Sequence, residues 1–111
     1  MIAIIDSGGA NIASVRFALE RLGVDSVLTA DPAVISAAER VILPGVGAAP
    51  VAMEQLARAG LVECIRGLTQ PVLGICLGMQ LLFERSEEGD TPLLGLVSGT
   101  CDAFDPGTGL T

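Results

Sequence analysis

Pro71-Val72-Leu73-Gly74-Ile75-Cys76-Leu77-Gly78-Met79-Gln80-Leu81-Leu82-Phe83-Glu84 reads as a strand, a sharp turn and a helix. The run Pro71–Ile75 shows no polar alternation, the pattern of a strand buried on both faces, and the helix is predicted from Leu77 to about Arg85. Between them Gly74-Ile75-Cys76-Leu77-Gly78 has the form G-x-C-x-G. That is the setting of a nucleophile elbow with Cys where Ser is usual. A turn this tight holds its central residue in a strained conformation, so its neighbours must lack side chains, and Gly74 and Gly78 meet that need. The helix that follows points its N-terminus at the sulfur, which favours the thiolate. The Leu77 N–H then lies beside any oxyanion formed on an attacked carbonyl. A cysteine taken at random is a small buried hydrophobe; the two glycines and the strand–turn–helix setting reverse that reading for Cys76. Cys64, on a helix face, and Cys101, in a predicted strand, are assigned to packing.

Outward from the elbow, short apolar runs alternate with amphipathic stretches. Ile2–Ile5 is a strand, Asp6–Ala10 a turn, and Asn11 a cap for a helix whose Ile12, Val15, Leu19 and Leu22 recur at helical spacing up to Gly23. A strand over Val24–Thr29 leads to Asp31-Pro32, a cap and first-turn proline for a brief helix. Arg40–Leu43 is a third strand ending at Pro44-Gly45-Val46-Gly47. Pro50 opens a helix with Val51, Met53, Leu56 and Ala57 facing inward and Gly60 at its end, and Leu61–Leu68 continues as a second short helix carrying Val62 and Ile65. Past the elbow helix, Ser86–Pro92 is a polar loop. Leu93–Val97 and Thr100–Phe104 read as strands, with a turn over Asp105–Gly109. Such alternation specifies an α/β fold, a parallel sheet with helices on both faces.

The Pro44–Gly47 loop follows a buried strand, so it emerges at the same sheet edge as Cys76. Its glycines let a peptide turn an N–H toward a ligand, a second oxyanion donor. Gln80 stands at i+4 from Cys76, on the face that carries the nucleophile; substrate contact and ordinary helix glutamine are both open from spacing alone. Gly8-Gly9 before a helix could cradle phosphate, but the spacing fails G-x-G-x-x-G and a tight turn explains it. Glu84, Glu87 and Glu88 read as a solvated helix end rather than a metal site.

Composition narrows the chemistry. The 111 residues carry six Lys plus Arg against thirteen Asp plus Glu, for a net charge of −7, and all six cations are Arg. With no Lys there is no Schiff base; with no His there is no imidazole for general base catalysis or metal ligation. Neither cofactor nor metal is called for. An acidic chain with 3% aromatic residues is not a nucleic-acid binder. No apolar run approaches the roughly 20 residues of a membrane span. The start is a strand rather than a signal peptide, and three cysteines with no CxxC pair fit a reduced cytosolic protein. Only 17% of residues are charged, which suits a piece that expects a neighbour.

Gly74–Glu84 together with Pro44–Gly47 resembles the class I (triad) glutamine amidotransferases. Ile4-Ile5-Asp6, Asn11, Ala18-Leu19-Glu20-Arg21-Leu22-Gly23 and Ser86-Glu87-Glu88-Gly89 narrow the likeness to the glutaminase subunits of imidazole glycerol phosphate synthases, from residue 1 to about 99. The resemblance implies that glutamine is hydrolysed to glutamate and ammonia, and that ammonia passes to a (β/α)8-barrel cyclase subunit as heterodimer partner. By position it makes Cys76 the nucleophile of a glutamyl thioester, lines the oxyanion hole with Gly47 and Leu77, and sets Gln80 against the bound glutamine. It also implies that residues 1–111 are the N-terminal part of one amidotransferase domain, because the family places its catalytic His and Glu further along. The sequence departs from the family at Ser7-Gly8-Gly9-Ala10, where Tyr-Gly-Met-Gly is usual, and at Ala49, where Phe is usual. Two other readings of the elbow remain: a DJ-1-like or other elbow-cysteine protein with redox chemistry, and a non-catalytic half-domain that only binds a partner.

With no residue able to deprotonate Cys76 or protonate departing ammonia, the isolated chain is expected to release no glutamate from glutamine above a Cys76→Ser control. Glutamate release that depends on Cys76 would overturn this.

Overall fold

The structure is a computed structural model that describes residues 1–8, 12–87 and 90–101. In chain order its elements are β1 (Ile2–Ile5), α1 (Ala13–Arg21), β2 (Ser26–Thr29), α2 (Pro32–Ala37), β3 (Arg40–Gly45), α3 (Ala49–Arg58), α4 (Val62–Arg66), β4 (Val72–Cys76), α5 (Leu77–Leu81), β5 (Arg85–Ser86), β6 (Thr91–Pro92) and β7 (Thr100–Cys101). The first four strands form an all-parallel sheet in the order β2-β1-β3-β4. The chain steps one way from β1 to β2 and the other way from β2 to β3 and β4. Right-handed crossovers therefore put α1 on one face and α2, α3 and α4 on the other. The expected α/β architecture is thus present.

The two central strands are buried because both faces are covered. Ala3, Ile5, Val41 and Leu43 enter one core with Ile35 of α2, Ala49, Ala52 and Leu56 of α3, Leu61 and Ile65 at α4, and Leu77 and Leu81 of α5. Ile4 and Ile42 point to the other face and are also buried. Each Val, Leu or Ile side chain among them, fully removed from water, contributes about 1.5–3 kcal/mol. α2 begins where the sequence places it: the Asp31 carboxylate accepts the Ala33 N–H at 2.9 Å with Pro32 in the first turn. The far end of α2 is held from a distance, since the Gln70 side chain donates to the carbonyls of Ile35 and Ala38, both at 3.1 Å.

Several elements differ from the sequence reading. α1 buries no residue fully; Ile12, Val15 and Leu19 are half-buried and Leu22 is 74% exposed, because the helix ends one residue before it. In α3 the inward face is Ala49, Ala52 and Leu56, flanked by Met53, whereas Val51 and Ala57 face solvent; the helix starts one residue earlier than Pro50 and is turned accordingly. α5 stops at Leu81 rather than near Arg85. The carbonyls at its end and in the turn just past it are taken by a segment arriving from downstream: Leu94 N–H donates to Leu81 O at 2.9 Å, Val97 to Leu82 at 2.8 Å, Gly95 to Phe83 at 2.8 Å and Leu93 to Glu84 at 2.9 Å. The same bonds explain why Leu93–Val97 is not a strand, since its donors serve the helix end. Part of the polar loop pairs instead, β5 with β6 antiparallel and with β7 parallel, and an Arg85–Asp90 ion pair spans this small sheet. The Asn11 cap, the Gly9-Ala10 turn, Glu88-Gly89, the end of the Thr100–Phe104 strand and the Asp105–Gly109 turn lie outside the described residues.

The last correction concerns β4. It is not buried on both faces: Val72 and Ile75 are half-buried and Leu73 is 58% exposed. Among the described residues β4 has β3 on one side and no strand on the other. An uncharged edge with an exposed Leu is a template for pairing with another chain. The protein should therefore self-associate as its concentration rises, and Leu73→Lys should restore the monomer; sedimentation velocity across a dilution series would show it. A wild-type chain that stays monomeric throughout would contradict this.

Candidate functional site

The site forms where β3 and β4 end side by side. Their register runs from Val41 opposite Val72 to Gly45 opposite Cys76, so the Pro44–Gly47 loop and the elbow emerge at one sheet edge, as expected of parallel neighbours. Cys76 ends β4 with φ 55° and ψ −126°, and Leu77 opens α5 immediately after it. A positive φ at a residue with a side chain stores about 1–3 kcal/mol of strain, held in place by the surroundings.

Those surroundings are three glycines. A Cβ on Gly78 would sit 1.9 Å from the carbonyl oxygen of Leu43, and one on Gly74 would sit 2.6 Å from the Met79 Cα. Gly45 completes the set, with its Cβ position 2.9 Å from the Gly78 nitrogen and 3.3 Å from the Leu77 Cβ. In each case the nearest atom is backbone and cannot yield. The start of α5 is therefore seated directly on the ends of β3 and β4, and the bend at Cys76 carries the chain between them. The sequence reading anticipated Gly74 and Gly78. It treated Gly45 only as part of the Pro44–Gly47 loop that turns a peptide N–H toward a ligand, although its register opposite Cys76 follows from aligning the two strands.

Cys76 is exposed and opens on a cleft of about 460 Å³ lined by Gly45, Val46, Gly47, Leu77, Met79 and Gln80. This is a ligand-sized volume. All four residues singled out from the sequence, Cys76, Gly47, Leu77 and Gln80, thus line one cleft. Gly47 has φ +90°, a conformation that turns its peptide out of the strand direction at little cost only for glycine. Val46 and Met79, each 53% exposed, form apolar walls that the sequence reading did not single out; their signal was position, one residue from a predicted site glycine and one before Gln80. A second, smaller cavity on the α1 side of Cys76 is lined by Ser14, Val15, Pro44, Gly45, Val46 and Ile75.

The other residues weighed for chemistry are engaged elsewhere. Cys64 is half-buried, its thiol 3.8 Å from the Pro32 carbonyl, and Cys101 is half-buried with its thiol 3.6 Å from the Gln80 carbonyl; both pack against the core. The Glu84 carboxylate accepts the Gly99 N–H at 2.9 Å. Gly8 donates to the Asp6 carboxylate at 3.0 Å in a tight turn. Among the described residues no group of three or more His, Cys, Asp or Glu is arranged to hold a metal, and no helix is long and apolar enough to cross a membrane.

Over residues 3–93 the chain matches the family of glutamine amidotransferases of class I. It is 60% identical over 109 residues to the imidazole glycerol phosphate synthase subunit HisH of Xanthomonas axonopodis pv. citri, covering 98% of this chain and 54% of that protein. The subunit of the same name from Xylella fastidiosa is 56% identical over 105 residues, covering 95% of this chain and 52% of the relative. The chain spans about half the length of the curated relatives it matches. These matches favour the amidotransferase reading of the elbow over a redox one.

The glycine interlock and the strain at Cys76 make opposite demands on stability. Gly78→Ala should destabilise the fold by about 3 kcal/mol, the upper range for overpacking. Cys76→Gly should be more stable than Cys76→Ala by about 1 kcal/mol, because glycine relieves the positive φ and alanine does not. Urea denaturation of the three variants checks both; an alanine variant as stable as the glycine one would remove the strain argument.

Proposed function

This chain belongs to the class-I glutamine amidotransferase family, and from that membership we propose that it carries the nucleophile-bearing part of a glutaminase. The observation that carries the reading is the strained Cys76 opening on a cleft it shares with Gly47, Leu77 and Gln80. The Cys76 sulfur attacks the side-chain carboxamide carbon of glutamine. Negative charge then develops on the carboxamide oxygen, where the backbone N–H groups of Gly47 and Leu77 receive it. The C–N bond breaks, ammonia departs with the thiol proton, and a glutamyl thioester remains. Water cleaves it to glutamate and restores the thiol. The Gln80 carboxamide holds the polar end of the substrate during both steps. The proton transfers need a base that the 111 residues do not contain, since none of them is His. In the family that base is a His set by a Glu in the C-terminal part of the domain, so the 111 residues act as its N-terminal part.

The names of the relatives support a larger setting. The chain serves imidazole glycerol phosphate synthase in histidine biosynthesis, delivering ammonia to a (β/α)8-barrel cyclase subunit as its heterodimer partner. Three free cysteines suit a reducing, cytoplasmic location.

Joining the 111 residues to the second half of the Xanthomonas axonopodis relative tests the chemistry directly. The chimera is expected to release glutamate from glutamine, and Cys76→Ser within it to lower that rate by about 10³-fold or more. Replacing Gln80 with Ala should raise KM more than it lowers kcat, as loss of a ground-state contact does. A Cys76→Ser chimera that retains activity would end the assignment of the nucleophile.

A further inference from the structure

Behind the Pro44–Gly47 loop, on the side away from the cleft, β3 outruns its neighbour. The ladder between β1 and β3 ends at Ile4 opposite Ile42, whereas β3 continues along β4 to Gly45 opposite Cys76. Pro44 and Gly45 thus have a strand partner on the β4 side only. On the other side, where β1 gives way to its following turn, lies a small, partly open cavity lined by Ser7, Leu43, Pro44, Gly45, Val46 and Gln55, with Ala52, Leu56 and Leu81 behind them. About 10 Å³ of it is open to the centre of a water molecule, room for one.

The chemistry of the lining is suited to a water molecule and to nothing larger. Ser7 brings a hydroxyl, Gln55 a carboxamide, and Pro44 a carbonyl on the side away from β4, which supplies the two to four polar partners that an ordered internal water needs. Gln55 is placed for this by helix geometry. It stands at i+3 from the buried Ala52 and precedes the buried Leu56, so it flanks the inward face of α3 and is itself half-buried. A solvent-facing glutamine would serve no such purpose.

We propose that one water molecule, held by the Gln55 carboxamide and the Ser7 hydroxyl, donates to the Pro44 carbonyl that β1 leaves open. Gln55 and Ser7 are then positioning residues. They touch neither nucleophile nor substrate, and through the water they fix the strand end from which Val46 and Gly47 project into the cleft. The water site stands independently of the glutaminase reading; its value for catalysis rests on Gly47 acting as an oxyanion donor.

The test is nuclear magnetic resonance on the chimera described above, whose added half continues the domain beyond the 111 residues. Water-to-amide cross-relaxation is expected at the Val46 amide and the Gln55 side-chain NH2, with the sign of a long-lived water. Gln55→Leu should abolish the water signal at the Val46 amide and accelerate amide exchange of Val46 and Gly47 by about tenfold, the scale of one lost hydrogen bond, while exchange at Ile4 changes far less. Ser7→Ala should produce a smaller change at the same amides. Absence of a long-lived water at Val46 in the wild type, or unchanged exchange at Val46 and Gly47 in Gln55→Leu, would overturn the proposal. An equal acceleration at Ile4 would also overturn it, because the effect would then be one of global stability. An inactive chimera with an intact water signature would count against the glutaminase reading and leave the water in place.

Discussion

The contact between Gly78 and the Leu43 carbonyl is the constraint on which the rest of the molecule depends. With 1.9 Å between that oxygen and the place a Cβ would occupy, the helix can meet the sheet only if its second residue has no side chain. Once it does, the position of α5 is set by backbone against backbone, the least compliant kind of packing. Gly74 and Gly45 enforce the same approach from the two strands, and the conformation of Cys76 follows. Its strain is a consequence of the fit around it, so sulfur chemistry and fold geometry are specified by different residues.

Much of this was legible in the sequence because backbone demands leave few choices of residue. G-x-C-x-G between a strand and a helix has one good structural explanation, and Pro44–Gly47 after a buried run could only emerge beside it. The Asp31-Pro32 cap and the Ile2–Ile5 strand were equally plain. Other features depend on partners remote in sequence. Nothing near Leu82 says that α5 must stop, since its last carbonyls are satisfied from Leu93–Val97. Leu73 looks as buried as Ile42 in composition and differs only in having no covering layer. The inward face of α3 was misassigned by a fraction of a turn, because Val51 and Ala57 are apolar and Ala49 and Ala52 are small. Binary patterning does not distinguish an apolar residue in the core from one on the surface.

The same remoteness explains how the lower half of the molecule is tied together. Arg66 in the last turn of α4 donates from its Nε to the Leu94 carbonyl and from Nη2 to the Leu93 carbonyl, both at 3.1 Å, while Nη1 reaches Glu63 at 3.0 Å. Planar guanidinium geometry suits such a fork. The segment it grips is the one whose N–H groups close α5. A single side chain therefore links the helix before β4 to the completion of the helix after it, and the elbow lies between two elements braced against each other.

That arrangement gives the chain a definite order of assembly. The elbow helix is short, and short helices are marginal without tertiary support. Its open carbonyls find partners only after Leu94 and Val97 have been added to the growing polypeptide. During synthesis the turn bearing Cys76 thus emerges unfinished and hardens later, when residues well downstream fold back over it. The setting of Cys76 is thus completed by translation of a stretch that lies well beyond it in the sequence.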